Sequence, residues 1–535
     1  MSQESERALG QRPIIELPFD PRRVAIPERA LNRAPSALVI LWILALVVGV
    51  AGNLLALDVD DSETAFALGS FTAILALAGV FIDGYRRSGN ALSPLCLAMI
   101  VLFFLYPFHG LMTQDNGFLL TTLGSDAQVW QAKALLVMTL SVPFFAWGFY
   151  SRLGARIAGR LPRLGFIVDD AHASTRGKLL GIYLLAFAPR VGMLLTGQYF
   201  HWSAERQAAE IQFLLNVLAT LPTFVTLWYL MLGLRHRHRA WLLIGLAMLG
   251  GEIIWGFISG SRIRMLDPVI AAIAAYSYLV RPVGLRRLAL ALVIFAMVAL
   301  PFLTAFRFAY FEQVEAGRES VGVGTVVSAL SEAATTDNDI DVVEGGGPFE
   351  AIANRFHGLT SLALVVRYTP ERSEYRWGIP YLLIVPQAIV PRFFWPDKPE
   401  VGTFRETFRT LYWGLDPTSP TSIAVSLLGD LWVNLHLFGA LFGSFFYAFF
   451  IAFLYRHLRY GIANASMLPL LVFSIHLTDL LHSLEGTLDA TIAGLMKSLF
   501  IYLVVAWVLD RRAGDAPGQG HDPDPRVRPP ARAAR

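Results

Sequence analysis

Apolar stretches close to 20 residues long recur along the chain, separated by polar segments, which is the length needed to cross a bilayer as a helix. They fall at 36–57, 65–82, 91–112, 132–150, 178–196, 211–234, 240–259, 265–280, 288–306, 435–455, 466–484 and 488–509, about twelve helices in all. The pattern predicts an all-α polytopic integral membrane protein with a large loop between helices 9 and 10. Five parts follow: a basic tail over 1–35, helices 1–9 over 36–306, the large loop over 307–425, a re-entrant segment with helices 10–12 over 426–509, and a Pro/Arg/Gly-rich tail over 510–535.

Charge placement orients these spans. Arg7, Arg12, Arg22, Arg23, Arg29 and Arg33 make the first part a basic cytoplasmic tail rather than a cleaved signal peptide. Alternation from that start puts Arg86/Arg87, Arg235/Arg237/Arg239, Arg281/Arg286/Arg287, Arg456/Arg459 and Arg511/Arg512 on the same side, as the positive-inside rule requires. Both termini are then cytoplasmic. The opposite side receives Asp58, Asp60, Asp61 and Glu63, the segments 113–131 and 197–210, and the loop 307–425. A loop of that length in a compact protein is usually functional. Its first part, Gly317–Gly347, is acidic and low in packing residues; its later part, 349–413, carries enough Trp, Tyr, Phe and Leu to pack.

Composition sharpens the class. Of the 535 residues 55% are hydrophobic and 16% charged, against about 25% charged in soluble proteins. The 44 basic and 41 acidic residues leave a formal charge of +3, too little to argue for nucleic acid as a partner. A single cysteine, Cys96, excludes an intrachain disulfide and a cysteine metal cage.

Ionisable groups inside apolar spans are costly and therefore candidates for function. Arg190 follows Pro189 in the fifth span and Glu252 lies mid-way in the seventh; a buried ion pair and a substrate role both fit them. His476, Asp479 and His482 follow one another at three-residue steps, a spacing that wraps about 120° of a helix. No zinc-type spacing accompanies them, so a polar patch facing a cavity is favoured over a metal site. The Arg235–Arg239 run, which includes His236 and His238, serves as a topology anchor.

Beyond the spans, Ser259-Gly260-Ser261-Arg262-Ile263-Arg264 forms an outer turn. If it is extended, Arg262 and Arg264 share a face and together suit a diphosphate; lipid headgroups would suit them equally. The loop adds Arg307, Arg355, Arg367, Arg372 and Arg376. It ends in 385–399, where Pro386, Pro391, Pro396 and Pro399 stiffen a segment presenting Arg392, Trp395 and Lys398. Aromatics beside cations suit sugar stacking together with phosphate capture. Downstream, Asp430 and Asn434 stand one helical turn apart on a segment returning to the membrane.

The G-S-R turn at Gly260–Arg262, the loop end V-P-R-F-F-W-P-D-K-P at Val390–Pro399 and the following G-D-L-W-V-N-L-H-L-F-G at Gly429–Gly439 resemble bacterial oligosaccharide repeat-unit polymerases, the Wzy-type O-antigen and exopolysaccharide polymerases. The resemblance implies a glycosyltransferase of the bacterial inner membrane that works on the periplasmic face. It would polymerise undecaprenyl-diphosphate-linked oligosaccharides without nucleotide sugar, cofactor or metal, among membrane lipids and beside a flippase and a chain-length regulator. Such a reaction must stabilise a departing lipid diphosphate and accept a proton from a sugar hydroxyl. Arg262, Arg264, Arg392 and Lys398 lead for the first need, with Arg190, Arg307 and Arg355 behind them. Asp430, His476 and Asp479 are the candidates for the second, and Trp395 and Asn434 for sugar contact. Two other readings stand beside this one. An O-antigen ligase shares the topology and donor, while a secondary transporter or flippase would also carry about twelve helices, though with short loops and related halves.

Overall fold

The computed structural model describes residues 37–113, 123–160, 173–195, 221–258, 262–295, 356–390, 404–415, 423–460 and 468–509, with a few single positions between them. Among the described residues the structure is helical and has no strand. In chain order the helices are α1 (Ala37–Asp58), α2 (Ser62–Ser88), α3 (Pro94–Met112), α4 (Ala127–Tyr150), α5 (Arg152–Arg160), α6 (Ala173–Leu195), α7 (Leu221–His236) and α8 (Arg239–Ile258). They continue with α9 (Arg262–Leu279), α10 (Leu285–Ile294), α11 (Gly358–Tyr368), α12 (Ile379–Ile389), α13 (Phe404–Leu411), α14 (Leu427–Tyr460), α15 (Leu468–His482) and α16 (Leu488–Leu509).

Each of the twelve expected stretches holds a helix. Among the described residues six helical stretches are long and apolar enough to cross a membrane: Leu41–Asp58, Ser62–Ser88, Pro94–Met112, Gly124–Ala158, Arg239–Ile258 and Leu427–His457. Large apolar side chains point outward from several helices, among them Leu41, Leu44, Val47 and Val48 on α1 and Leu243 and Ile254 on α8. Such continuous apolar surface belongs against hydrocarbon. The chain is a helical membrane protein.

Local chemistry sets the helix ends. Asp61 caps α2 by accepting the Thr64 N–H at 3.1 Å, and Gly89 ends it with φ of 63°. Ser93 caps α3, with Pro94 in the first helical turn, where its missing N–H costs nothing. Within α3 the turn Phe104–Phe108 widens to π geometry around Pro107. The proline ring cannot donate to the preceding turn, and the wider turn accommodates it.

Two apolar cores organise the bundle. One joins α1 to α4 with α11, α13 and α14; the other joins α6, α7, α9, α15 and α16, with Tyr455 of α14 reaching into it. The first is tightest where α4 crosses α14. A Cβ added at Gly148 would stand 2.0 Å from the Phe445 carbonyl oxygen, so the two backbones touch. Arg456 closes the same crossing by donating to the Phe149 and Ser151 carbonyls at 2.7 and 3.0 Å, where α4 leaves its last oxygens unpaired.

Within the segment expected as one large loop the described residues include α11, α12 and α13, and α11 is part of the first core. Leu359, Leu362, Ala363, Leu364 and Val365 are buried. Thr360 meets His109 of α3 at 2.8 Å, and Gly358 lies against the Leu105 carbonyl. The later part of the expected loop packs, as its apolar content suggested, here as a helix within the first core. The acidic Gly317–Gly347 stretch and both tails lie outside the described residues, apart from single positions.

The second departure from a simple span is α14. Its backbone breaks at Leu435 (φ −145°, ψ 26°) and His436 (φ 55°, ψ −149°). The short helix before the break folds back on the long one after it. Gly439 approaches the Leu431 carbonyl so closely that a Cβ would stand 2.2 Å from its oxygen, and Gly443 receives the Leu431 side chain. In an unbroken helix positions 431 and 439 would lie about 12 Å apart. Two glycines one turn apart therefore form the notch that makes this reversal possible.

Candidate functional site

The half-helix before the break follows Ser426. Its N–H bonds the Glu485 carbonyl at 2.8 Å, and the Leu427 N–H bonds that of Leu484 at 3.0 Å, anchoring the segment to the turn between α15 and α16. The Ser426 hydroxyl caps the half-helix by accepting the Gly429 N–H. This places Asp430 in the first turn, 1% exposed.

Three donors converge on the Asp430 carboxylate. The Tyr381 hydroxyl of α12 and the Leu488 N–H at the start of α16 each reach Oδ2 at 2.9 Å, and the Asn434 amide reaches Oδ1 at 3.2 Å. Asn434 Nδ2 also donates to the Asp430 carbonyl at 2.8 Å and to the Tyr381 hydroxyl at 3.0 Å. Burial, then the nearby Asp430 charge, holds the Tyr381 pKa well above its ordinary value, so this phenol is a proton donor at neutral pH. Asp489, buried in the first turn of α16, and Arg376 both lie within electrostatic reach of Asp430.

Two buried atoms here have no hydrogen-bond partner among the described residues. Asn434 Oδ1 is an acceptor and Arg376 Nη1 a donor. The Arg376 guanidinium rests 5.0 Å from the Phe404 ring, while its backbone N–H bonds the Val433 carbonyl at 3.0 Å. Buried polar groups are nearly always satisfied, so unused capacity beside a buried carboxylate marks a place where a polar ligand fits. The group can accept a proton at Asp430, hold a hydroxyl at Asn434 Oδ1 and face an anion with Arg376.

The structure brings Asp430 and Asn434 together as the sequence suggested, but it distributes the other candidates differently. Arg190 forms a bidentate pair with Glu252, at 2.7 and 2.8 Å, and Thr223 donates to the same carboxylate at 2.7 Å. Both members of the pair are buried, which is the ion-pair alternative of the two readings. His476 Nδ1 lies 3.3 Å from Asp479, whose side chain is 49% exposed, and His482 lies 3.1 Å from Asp267. These are two separate pairs; among the described residues no cluster could hold a metal ion. His476 Nε2 is buried beside the Tyr502 ring, with no hydrogen-bond partner among the described residues.

Arg262 and Arg264 are already helical, in the first turn of α9. The extended turn that would have aligned them is therefore absent, and positions two apart on a helix sit about 200° around its axis. Residues 385–389, expected as part of a stiff presenting segment, complete α12 instead, with Pro386 inside the helix. Trp395 is half-buried, and Arg307, Arg355, Arg392 and Lys398 lie outside the described residues.

Sequence reasoning did not select Tyr381, Asp489 or Ser426, and placed Arg376 only among the loop arginines. Asp489 carried a signal, an acid at the start of an apolar span. Tyr381 carried none, because its partner lies 49 positions away.

A family model described as a domain of unknown function (DUF8712) matches residues 192–455. The matched stretch includes Arg376, Tyr381, Asp430 and Asn434, and stops short of His476, Asp479 and Asp489. No curated protein and no solved structure matches the chain.

Proposed function

We propose that the protein is a lipid-diphosphate-dependent glycosyltransferase that polymerises undecaprenyl-diphosphate-linked oligosaccharide units on the periplasmic face of a bacterial inner membrane. The observation carrying this reading is the Asp430 carboxylate on the half-helix before the α14 break, with the unsatisfied Asn434 acceptor and the unsatisfied Arg376 donor beside it.

The chemistry follows from those groups. Asn434 Oδ1 and Asp430 orient a hydroxyl of the incoming sugar. Its oxygen attacks the anomeric carbon of the growing chain, forming the new C–O bond as the bond from that carbon to the lipid diphosphate breaks. The hydroxyl proton passes to Asp430, and the diphosphate departs with the electron pair, its charge met by Arg376. Tyr381, held protonated, fixes the carboxylate through Oδ2 and leaves Oδ1 toward Asn434. A metal is not needed for this balance if guanidinium groups carry the charge.

The test is incubation of the purified protein with a matched lipid-linked repeat unit and no nucleotide sugar, with products resolved by length. A ladder is expected, reduced by about two orders of magnitude or more in Arg376→Gln. Transfer only onto lipid A core would make the enzyme a ligase. Movement of the unmodified unit across the membrane of a proteoliposome, with no new bond, would replace the reading with transport.

A further inference from the structure

A second group of cations lies along the segment that leads to Arg376. Lys133 Nζ sits 4.1 Å from the centroid of the Trp130 ring on α4, and the Arg367 guanidinium 5.9 Å from the same ring. Arg367 lies 4.8 Å and Arg372 3.6 Å from the Tyr368 ring. The order Lys133, Trp130, Arg367, Tyr368, Arg372 is thus a row of three cations interleaved with two aromatic rings. Arg376 follows Arg372 by four positions and faces the Asp430 group.

No carboxylate among the described residues meets this row at ion-pair distance. Arg372 Nη1 spends one donor on the Leu411 carbonyl at 3.0 Å, whereas Arg367 Nη1 is buried with no hydrogen-bond partner among the described residues. Gly124 leaves bare backbone beside that atom; a Cβ there would stand 3.8 Å from it. Stacking on rings holds a guanidinium by its face and leaves its edge free for an oxyanion. Like charges held close together attract an anion that bridges them. A lipid headgroup concentrates its charge at one point, whereas a row of separated cations fits a ligand whose charges are separated too.

We propose that this row binds a carboxylate-bearing glycan, an oligosaccharide with acidic sugars spaced along it, and leads that chain to the Asp430 group. The identity of the bound chain as substrate rests on the glycosyltransferase reading, but its binding does not require turnover.

The experiment measures binding of a galacturonic acid hexamer and of neutral maltohexaose to the full-length protein in nanodiscs of zwitterionic lipid by titration calorimetry. The acidic hexamer is expected to bind, the neutral one to show at least ten-fold weaker binding, and Arg367→Gln with Arg372→Gln to remove at least ten-fold of the acidic affinity. Arg372→Gln alone, at an exposed position, keeps the test sound if the double variant fails to fold. Equal binding of both hexamers, or acidic binding unchanged by the variants, would overturn the proposal. So would an absence of acidic-hexamer binding combined with a variant-sensitive requirement for phosphatidylglycerol in the disc, which would assign the row to lipid. Acidic binding without any product ladder would sink the polymerase reading and leave this one standing; a ladder from a neutral unit without acidic binding would do the reverse.

Discussion

Glu252→Gln isolates the energetic role of the buried pair. The Arg190 guanidinium and Glu252 carboxylate are 4% and 3% exposed and meet through two parallel hydrogen bonds, with Thr223 completing the carboxylate. The amide preserves shape but removes the negative charge that the buried Arg190 guanidinium meets through two hydrogen bonds. Breaking such a pair costs about 3–5 kcal/mol, which lowers the folded-to-unfolded ratio by roughly two to nearly four orders of magnitude. Replacing both members, Arg190→Met with Glu252→Leu, removes the desolvation cost along with the attraction and should return stability to within about 1 kcal/mol of the native protein. Reversible unfolding in mixed detergent micelles, followed by tryptophan fluorescence, reads both values. If Glu252→Gln were harmless, the pair would not be the structural tie described. If the double variant were stable yet unable to bind a lipid-linked donor, Arg190 would be a substrate contact after all.

Three other perturbations probe the fold around the site. Gly148→Leu must push α4 from α14, because even a Cβ meets the Phe445 carbonyl at 2.0 Å; a loss of about 1–3 kcal/mol in the same unfolding assay is expected. His436→Gly relieves a backbone conformation of φ 55°, ψ −149° that glycine alone adopts readily, and should stabilise the reversal by about 1–3 kcal/mol; destabilisation would refute the strain. The Asp61 cap has a pKa below the usual 3.8 because Thr64 hydrogen bonds favour its charged form. Its stabilisation of α2 is therefore present above about pH 4 and fades as pH falls through the folded value, so faster Thr64 amide exchange in Asp61→Ala should converge on the native rate in acid.

The apolar stretches were legible because a membrane helix declares itself through length and composition over a continuous window, and each predicted stretch holds a helix. The pairing of Asp430 with Asn434 was legible for a related reason: both interrupt an apolar run one helical turn apart. What stayed hidden was long-range. Nothing local in I-P-Y announces that Tyr381 meets Asp430, and the 11 residues of α11 are too short an apolar run to distinguish a core helix from a packed loop. Arg262 and Arg264 share a face only in an extended chain, and α9 begins at Arg262, three residues before the expected span start at 265.

The central claim is that Asp430 takes the proton of the attacking hydroxyl. Single-turnover transfer between two lipid-linked units, measured for the wild-type protein and for Asp430→Asn, tests it directly. The account predicts a loss of about 100-fold or more in the transfer rate, with donor binding and the unfolding midpoint little changed. Transfer by Asp430→Asn at the wild-type rate would contradict it.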